Sequence, residues 1–155
     1  MKAFAFSLQK VLDYREQTLS VKKNELAALH RQLSECDDRI KALEGEFDAV
    51  NQKRSLEMSG GMTSARMEVY RTYLEDLNKK IQLCVRKKQQ LLLKIEQKKQ
   101  ELTTLKTEIT GLEKLRDRQR AEYDRAARKL EETAIEEFVG IGVGKRRETA
   151  VLAAK

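Results

Sequence analysis

Met58-Ser59-Gly60-Gly61-Met62-Thr63-Ser64 is the strongest break in this sequence, and the residues on either side of it decide the fold. Paired glycines stop a helix, and Thr63 or Ser64 can cap the next one. Upstream, every seventh residue from Leu12 is apolar: Leu12, Leu19, Leu26, Leu33, Ile40 and Phe47. A companion series runs Leu8, Arg15, Lys22, Leu29, Cys36, Leu43 and Val50. Together they make an a/d heptad pattern of about six repeats, beyond the three or four that mark a coiled coil. The pattern fails at Arg54 and Glu57, just before the break. Downstream a second ladder starts, with Tyr70, Leu77, Cys84, Leu91, Lys98, Leu105 and Leu112 in one series. Leu74, Ile81, Lys88, Ile95, Leu102 and Ile109 form the other. Past Leu112 the seam thins to Arg116, Gln119, Tyr123, Ala126 and Leu130.

Composition agrees with long helices. Among 155 residues there is no Pro and no Trp, aromatics are 5%, and charged residues reach 37%. Proline removes a backbone donor and clashes with the preceding helical turn, so its absence suits uninterrupted helices. A sandwich or barrel needs turn residues and aromatics that this chain lacks. Two apolar stripes joined by a tight turn must bury against each other. The expected fold is therefore all-α, a long two-helix antiparallel coiled coil, or helical hairpin, with a single-helix C-terminal overhang. As one coiled-coil domain over 1–155, the spacing predicts helix one over about 5–57, a turn at 58–63 and helix two over about 64–138. Gly140-Ile141-Gly142-Val143-Gly144 ends that helix, and a flexible basic tail fills 140–155.

The two helices are unequal, spanning ~80 and ~110 Å at ~1.5 Å per residue. A fold-back near residue 59 sets Leu8 opposite Ile109 and Leu12 opposite Leu105. Everything past about Leu115 then overhangs, and a heptad slip either way keeps the overhang. Arg15, Lys22, Lys88 and Lys98 dilute the seam. Such residues lower stability while fixing register, with their long stems snorkelling outward.

Most chemistry is excluded. His30 is the only histidine, so catalytic triads and histidine-based metal sites fall away, and it follows a core position where it faces water. Cys36 and Cys84 match no metal spacing and sit in the seam as small core residues; two thiols fit a reducing compartment. The stretch Gly140 to Lys145 fails as a phosphate loop, because Val139 stands where the first Gly is needed and Arg146 replaces Ser or Thr. A single two-helix seam encloses no drug-sized pocket. No cofactor, no metal, no small-molecule ligand and no enzymatic activity are expected. Residues 1–12 do not read as a signal peptide, since Lys10 interrupts the apolar side chains. No apolar run is long enough to span a membrane.

The net charge of +7 favours acidic partners. Over residues 116–130, at the start of the overhang, Arg116, Arg118, Arg120, Arg125, Arg128 and Lys129 outnumber Asp117, Glu122 and Asp124. Tyr123, Ala126, Ala127, Leu130 and Ala134 draw a modest apolar stripe along it. This is a helix for docking on a partner or, more blandly, a solvated helix end.

Phe4-Ala5-Phe6-Ser7-Leu8-Gln9-Lys10-Val11-Leu12-Asp13-Tyr14-Arg15-Glu16 resembles the start of the bacterial flagellar export protein family FliJ. Leu112-Glu113-Lys114-Leu115-Arg116-Asp117-Arg118, Tyr123, Glu131-Glu132 and Glu136-Glu137-Phe138 are similar to that family too. So is the Gly-Gly break followed by Tyr70, Tyr73, Leu74 and Leu77. The resemblance implies a non-enzymatic component of the flagellar type III export apparatus. It would act as a rotor-like stalk that inserts into the hexameric export ATPase ring and promotes its assembly. It would also contact the export gate membrane protein and help to recycle export chaperones. The implied location is cytoplasmic, peripheral to the inner membrane at the flagellar base. On this sequence the resemblance implies ring contact at Arg116, Arg118, Arg120, Tyr123, Arg125 and Arg128, with Phe4 and Phe6 beside them. Gate contact falls to Phe47, Tyr70, Tyr73 and Leu77. In helix one this chain has Gly45 and Ala49 where the family often places aromatics, so only Phe47 matches there.

Four other readings use the same residues. A basic coiled coil can bind nucleic acid, but here Lys and Arg are interspersed with Glu and Asp and form no basic arm. A generic tether would dimerise through its ladders, whereas a hairpin satisfies its own seam and stays monomeric. The equivalent stalk of a virulence-type secretion system, or a holdase chaperone, would share the architecture.

Overall fold

A computed structural model describes residues 2–154. Met1 and Lys155, the ends of the expected domain and of the expected basic tail, lie outside the described residues. The fold is all-α, two long helices packed against each other as a hairpin. Helix α1 runs Gln9–Ser59 and helix α2 runs Ser64–Ala153. By contact the chain divides into two units, one of Met1–Glu16 with Thr107–Lys155 and the other of Gln17–Lys106.

The turn is built as its residues dictate. Gly61 has φ +90°, a backbone conformation that a side chain strains, and its N–H donates to the Met58 carbonyl at 3.2 Å. Thr63 caps α2: its hydroxyl accepts from the Arg66 N–H at 3.3 Å, satisfying one of the orphan donors of a helix start. Glu57 closes the turn from the α1 side. Arg66 donates to it through Nε at 3.0 Å and Nη2 at 3.1 Å, and the Tyr70 hydroxyl donates to it at 2.6 Å. The Arg66 guanidinium also sits 5.3 Å from the Tyr70 ring centre.

In the Gln17–Lys106 unit the buried residues are Cys36, Leu43, Tyr70, Leu74, Leu77, Leu91, Ile95, Leu102 and Leu105, all on the heptad ladders. The seam cations have a definite use. Lys22 reaches Glu101 at 2.8 Å, Lys98 reaches Glu25 at 2.7 Å and Lys88 reaches Asp37 at 2.7 Å, each across to the other helix. Partner positions rise along α2 as they fall along α1, so the pairing is antiparallel. These pairs are partly exposed and individually contribute about 0–1 kcal/mol. Their value is in register, since a one-heptad slip separates all of them.

In the other unit Phe6, Leu12 and Ile109 are buried and Arg15 pairs with Glu108 at 3.1 Å. Two sequence expectations need correction here. Leu8 is not opposite Ile109, because Arg15, seven residues on, already faces Glu108. The error came from placing the fold-back at residue 59, whereas the turn centres on Gly61. Residues 2–6 are not helical, and α1 begins only at Gln9, whose N–H donates to the Phe6 carbonyl at 3.1 Å.

The end of α2 differs as well. The helix does not stop near Phe138 but continues through Gly140, Gly142 and Gly144 to Ala153. Each glycine costs about 1 kcal/mol in a helix relative to alanine, and Val139, Ile141 and Val143 between them are weak helix formers, so the helix carries through against local propensity. From Arg128 to Ala154 every residue is exposed.

Candidate functional site

Among the described residues no group of His, Cys, Asp and Glu is arranged to hold a metal, and no helix is long and apolar enough to cross a membrane. Residues expected at the ring contact come together in the unit of Met1–Glu16 and Thr107–Lys155. The N-terminal segment lies along α2 and is clasped by three contacts. The Tyr123 hydroxyl donates to the Lys2 carbonyl. The Phe4 and Tyr123 rings are 5.6 Å apart and tilted by 56°. The Arg120 guanidinium stands 5.2 Å from the Phe4 ring centre. Phe6 is buried in the same unit. Phe4, Arg120 and Tyr123 thus form one cluster, although Phe4 is more than a hundred residues from the other two in sequence.

The remaining arginines differ in freedom. Arg116 is half-buried and sits 3.7 Å from Asp117, while Arg120 pairs with Asp124 at 3.5 Å. Arg118, Arg125 and Arg128 are exposed on α2. Beyond them Leu130, Ile135, Phe138, Val139, Ile141 and Val143 are exposed apolar side chains, at fractions from 45% to 78%. The sequence reading placed a short stripe here and missed its length, because it ended the helix at the glycines.

The residues expected at the gate contact lie in the Gln17–Lys106 unit and are less uniform. Leu77 is 1% exposed and Tyr70 is 8% exposed, so both belong to the seam and offer a partner almost no surface. Their heptad position explains it: both sit in the ladder that packs on α1. Phe47 is half-buried. Tyr73 is exposed at 42%, with its hydroxyl donated to Glu46 and its pKa raised mainly by that hydrogen bond. Val69, at 62% exposure, and Met67, at 44%, lie one turn or more before it on α2 and were not picked out from sequence. A shallow open depression there is lined by Glu68, Val69, Thr72, Tyr73 and Asp76.

Electrostatics near the turn are set by Glu57. Hydrogen bonds from Arg66 first, then Tyr70, hold its carboxyl down at about 2. The same bonds raise the pKa values of Arg66 and Tyr70. Glu25 and Glu101 are lowered by hydrogen bonds from Lys98 and Lys22, and Lys98 and Lys88 are raised by Glu25 and Asp37. The Glu57–Arg66, Lys22–Glu101, Lys98–Glu25 and Lys88–Asp37 pairs all run between the two helices.

A family model described as "Flagellar FliJ protein" matches residues 4–148, which is essentially the whole chain. The chain belongs to the FliJ family. That match covers the N-terminal segment from Phe4, both helical ladders, the glycine turn and the arginine-rich part of α2. No individual curated protein and no solved structure gives a match of its own. As a FliJ-family member the chain is a component of the flagellar protein-export apparatus, in a family that is not catalytic.

Proposed function

We propose that this FliJ-family chain is a rotor-like stalk of the flagellar type III export ATPase, inserting into the hexameric ATPase ring and promoting its assembly. In the same reading it couples the ring to the export gate membrane protein and helps to recycle export chaperones, working at the cytoplasmic face of the inner membrane at the flagellar base. The observation that carries the reading is the surface of α2 beyond the Phe4–Tyr123 clasp. Arg125 and Arg128 are exposed there, as is Arg118 just before the clasp, and from Arg128 to Ala154 every residue is exposed, which suits a guest inside a ring lined by acidic or polar loops. The interhelical ion pairs and heptad seams supply the stiffness that a stalk requires.

For the gate, Tyr73 with Val69 and Met67 supports the reading better than Leu77 or Tyr70. A flagellar rather than a virulence-type system is favoured by the family match. The chain in this reading is monomeric when free, because its seams are satisfied internally.

The test is charge reversal of Arg118 and Arg125 to Glu. The expected outcome is loss of ATPase stimulation with unchanged circular dichroism. Full stimulation by the doubly reversed chain would remove these arginines from the ring contact.

A further inference from the structure

Cys36 and Cys84 occupy the seam of the Gln17–Lys106 unit, one on each helix. Neither is engaged in a disulfide. The Cys36 thiol donates to the backbone carbonyl of Cys84 itself, with a sulfur-to-oxygen distance of 3.2 Å. Disulfides join residues whose Cα atoms are roughly 4.4–6.8 Å apart, and the contact of the Cys36 sulfur with the Cys84 main chain is the observation that brings the two residues together across the seam.

The two thiols differ in access. Cys36 is 6% exposed, whereas Cys84 is half-buried. The Lys88 ammonium, one turn beyond Cys84, is fixed at 2.7 Å on Asp37, the residue after Cys36. That ion pair bridges the two helices beside the cysteine layer.

We propose that Cys36 and Cys84 form an oxidation site, closing an internal disulfide that ties α1 to α2 when the chain meets a low-molecular-weight disulfide such as oxidised glutathione. The Cys84 thiolate attacks one sulfur of the oxidant, breaking its S–S bond and releasing one glutathione thiolate. The Cys36 thiolate then attacks the Cys84 sulfur of the mixed disulfide and expels the second glutathione. Two protein thiols are oxidised, one oxidant disulfide is reduced, and the two protons leave to the released thiols. The product locks the layer that contains Cys36 and Cys84, so the helices can neither separate nor slip by a heptad.

The experiment incubates the full-length chain with oxidised glutathione and reads intact mass, free thiol and non-reducing gel mobility. The expected product is a monomer lighter by two hydrogens with no free thiol. Cyanogen bromide cleaves after Met58, Met62 and Met67, so the fragments carrying Cys36 and Cys84 should stay joined until a reductant is added. Cys36→Ala should instead stop at a stable glutathione adduct on Cys84, formed faster than the adduct on Cys36 in Cys84→Ala, as expected if the more exposed Cys84 reacts first. The oxidised wild-type chain should also melt at a higher temperature than the reduced chain. A lasting glutathione adduct on the wild type, a disulfide between two chains, or two thiols that remain free would each overturn the assignment.

Discussion

Replacing Phe4 with Ala removes the centre of the clasp that holds the N-terminal segment on α2. Phe4 stacks at 5.6 Å against Tyr123 and lies under the Arg120 guanidinium at 5.2 Å. A tilted aromatic pair contributes about 0.5–1.5 kcal/mol, and an exposed cation–π contact about 0.5–1 kcal/mol. Phe4 is half-buried, so the low half of each range applies and the loss is about 1–2 kcal/mol, or roughly 5–30-fold in the docking equilibrium. Because residues 2–6 carry no helix, total helicity should not change. The Gln9 amide, which donates to the Phe6 carbonyl, reports the event directly: its hydrogen exchange should accelerate by the same factor. Trypsin should also cut after Lys2 faster. Tyr123→Phe removes the hydroxyl that donates to the Lys2 carbonyl, and its effect should be less than additive with Phe4→Ala, since both substitutions free one segment. Unchanged exchange at Gln9 in Phe4→Ala would refute the idea that this cluster docks the N-terminal segment.

Leu43→Ala, at a residue 2% exposed, should cost about 2–3 kcal/mol in urea denaturation, the low end for a buried leucine because a two-helix seam can close inward; Leu83→Ala, at 63% exposure, should fall within about 0.5 kcal/mol. Gly61→Ala should destabilise by about 1–2 kcal/mol, since φ there is +90°, while Gly60→Ala, whose new Cβ meets only the Glu57 carbonyl at an ordinary 3.8 Å, should be far milder. Acid should loosen the turn: the Glu57 carboxyl sits at about 2 in the fold against an ordinary 4.5, so its contribution is complete above 4.5 and disappears as pH falls towards 2. Glu57→Gln should flatten that part of a stability-against-pH curve, and an unchanged slope would remove Glu57 from the account.

The heptad spacing made the core legible, because a period near 3.5 residues assigns a helix face without any knowledge of the partner. Apart from Phe6, every buried residue belongs to one of the ladders read from sequence. What the ladders do not carry is register. Arg15, Lys22, Lys88 and Lys98 looked like dilutions of the seam until the positions of Glu108, Glu101, Asp37 and Glu25 opposite them were known. The paired glycines located the turn, yet which of them takes the positive φ moves the fold-back enough to shift the facing residues. The glycines after Val139 misled in the opposite direction, since local propensity marked an end where a long helix carries through. Among candidate site residues, charge and position made the exposed arginines visible. The burial of Leu77 and the docking of Phe4 and Phe6 depend on contacts between segments distant in sequence.

The most direct test of the stalk is to titrate this chain into the flagellar export ATPase of the same cell, following ATP hydrolysis and imaging the rings by electron microscopy. The account predicts faster hydrolysis, more hexamers and density along the ring axis, all lost when Arg118 and Arg125 are reversed to Glu. Hydrolysis and hexamer number that stay flat at saturating chain would contradict it.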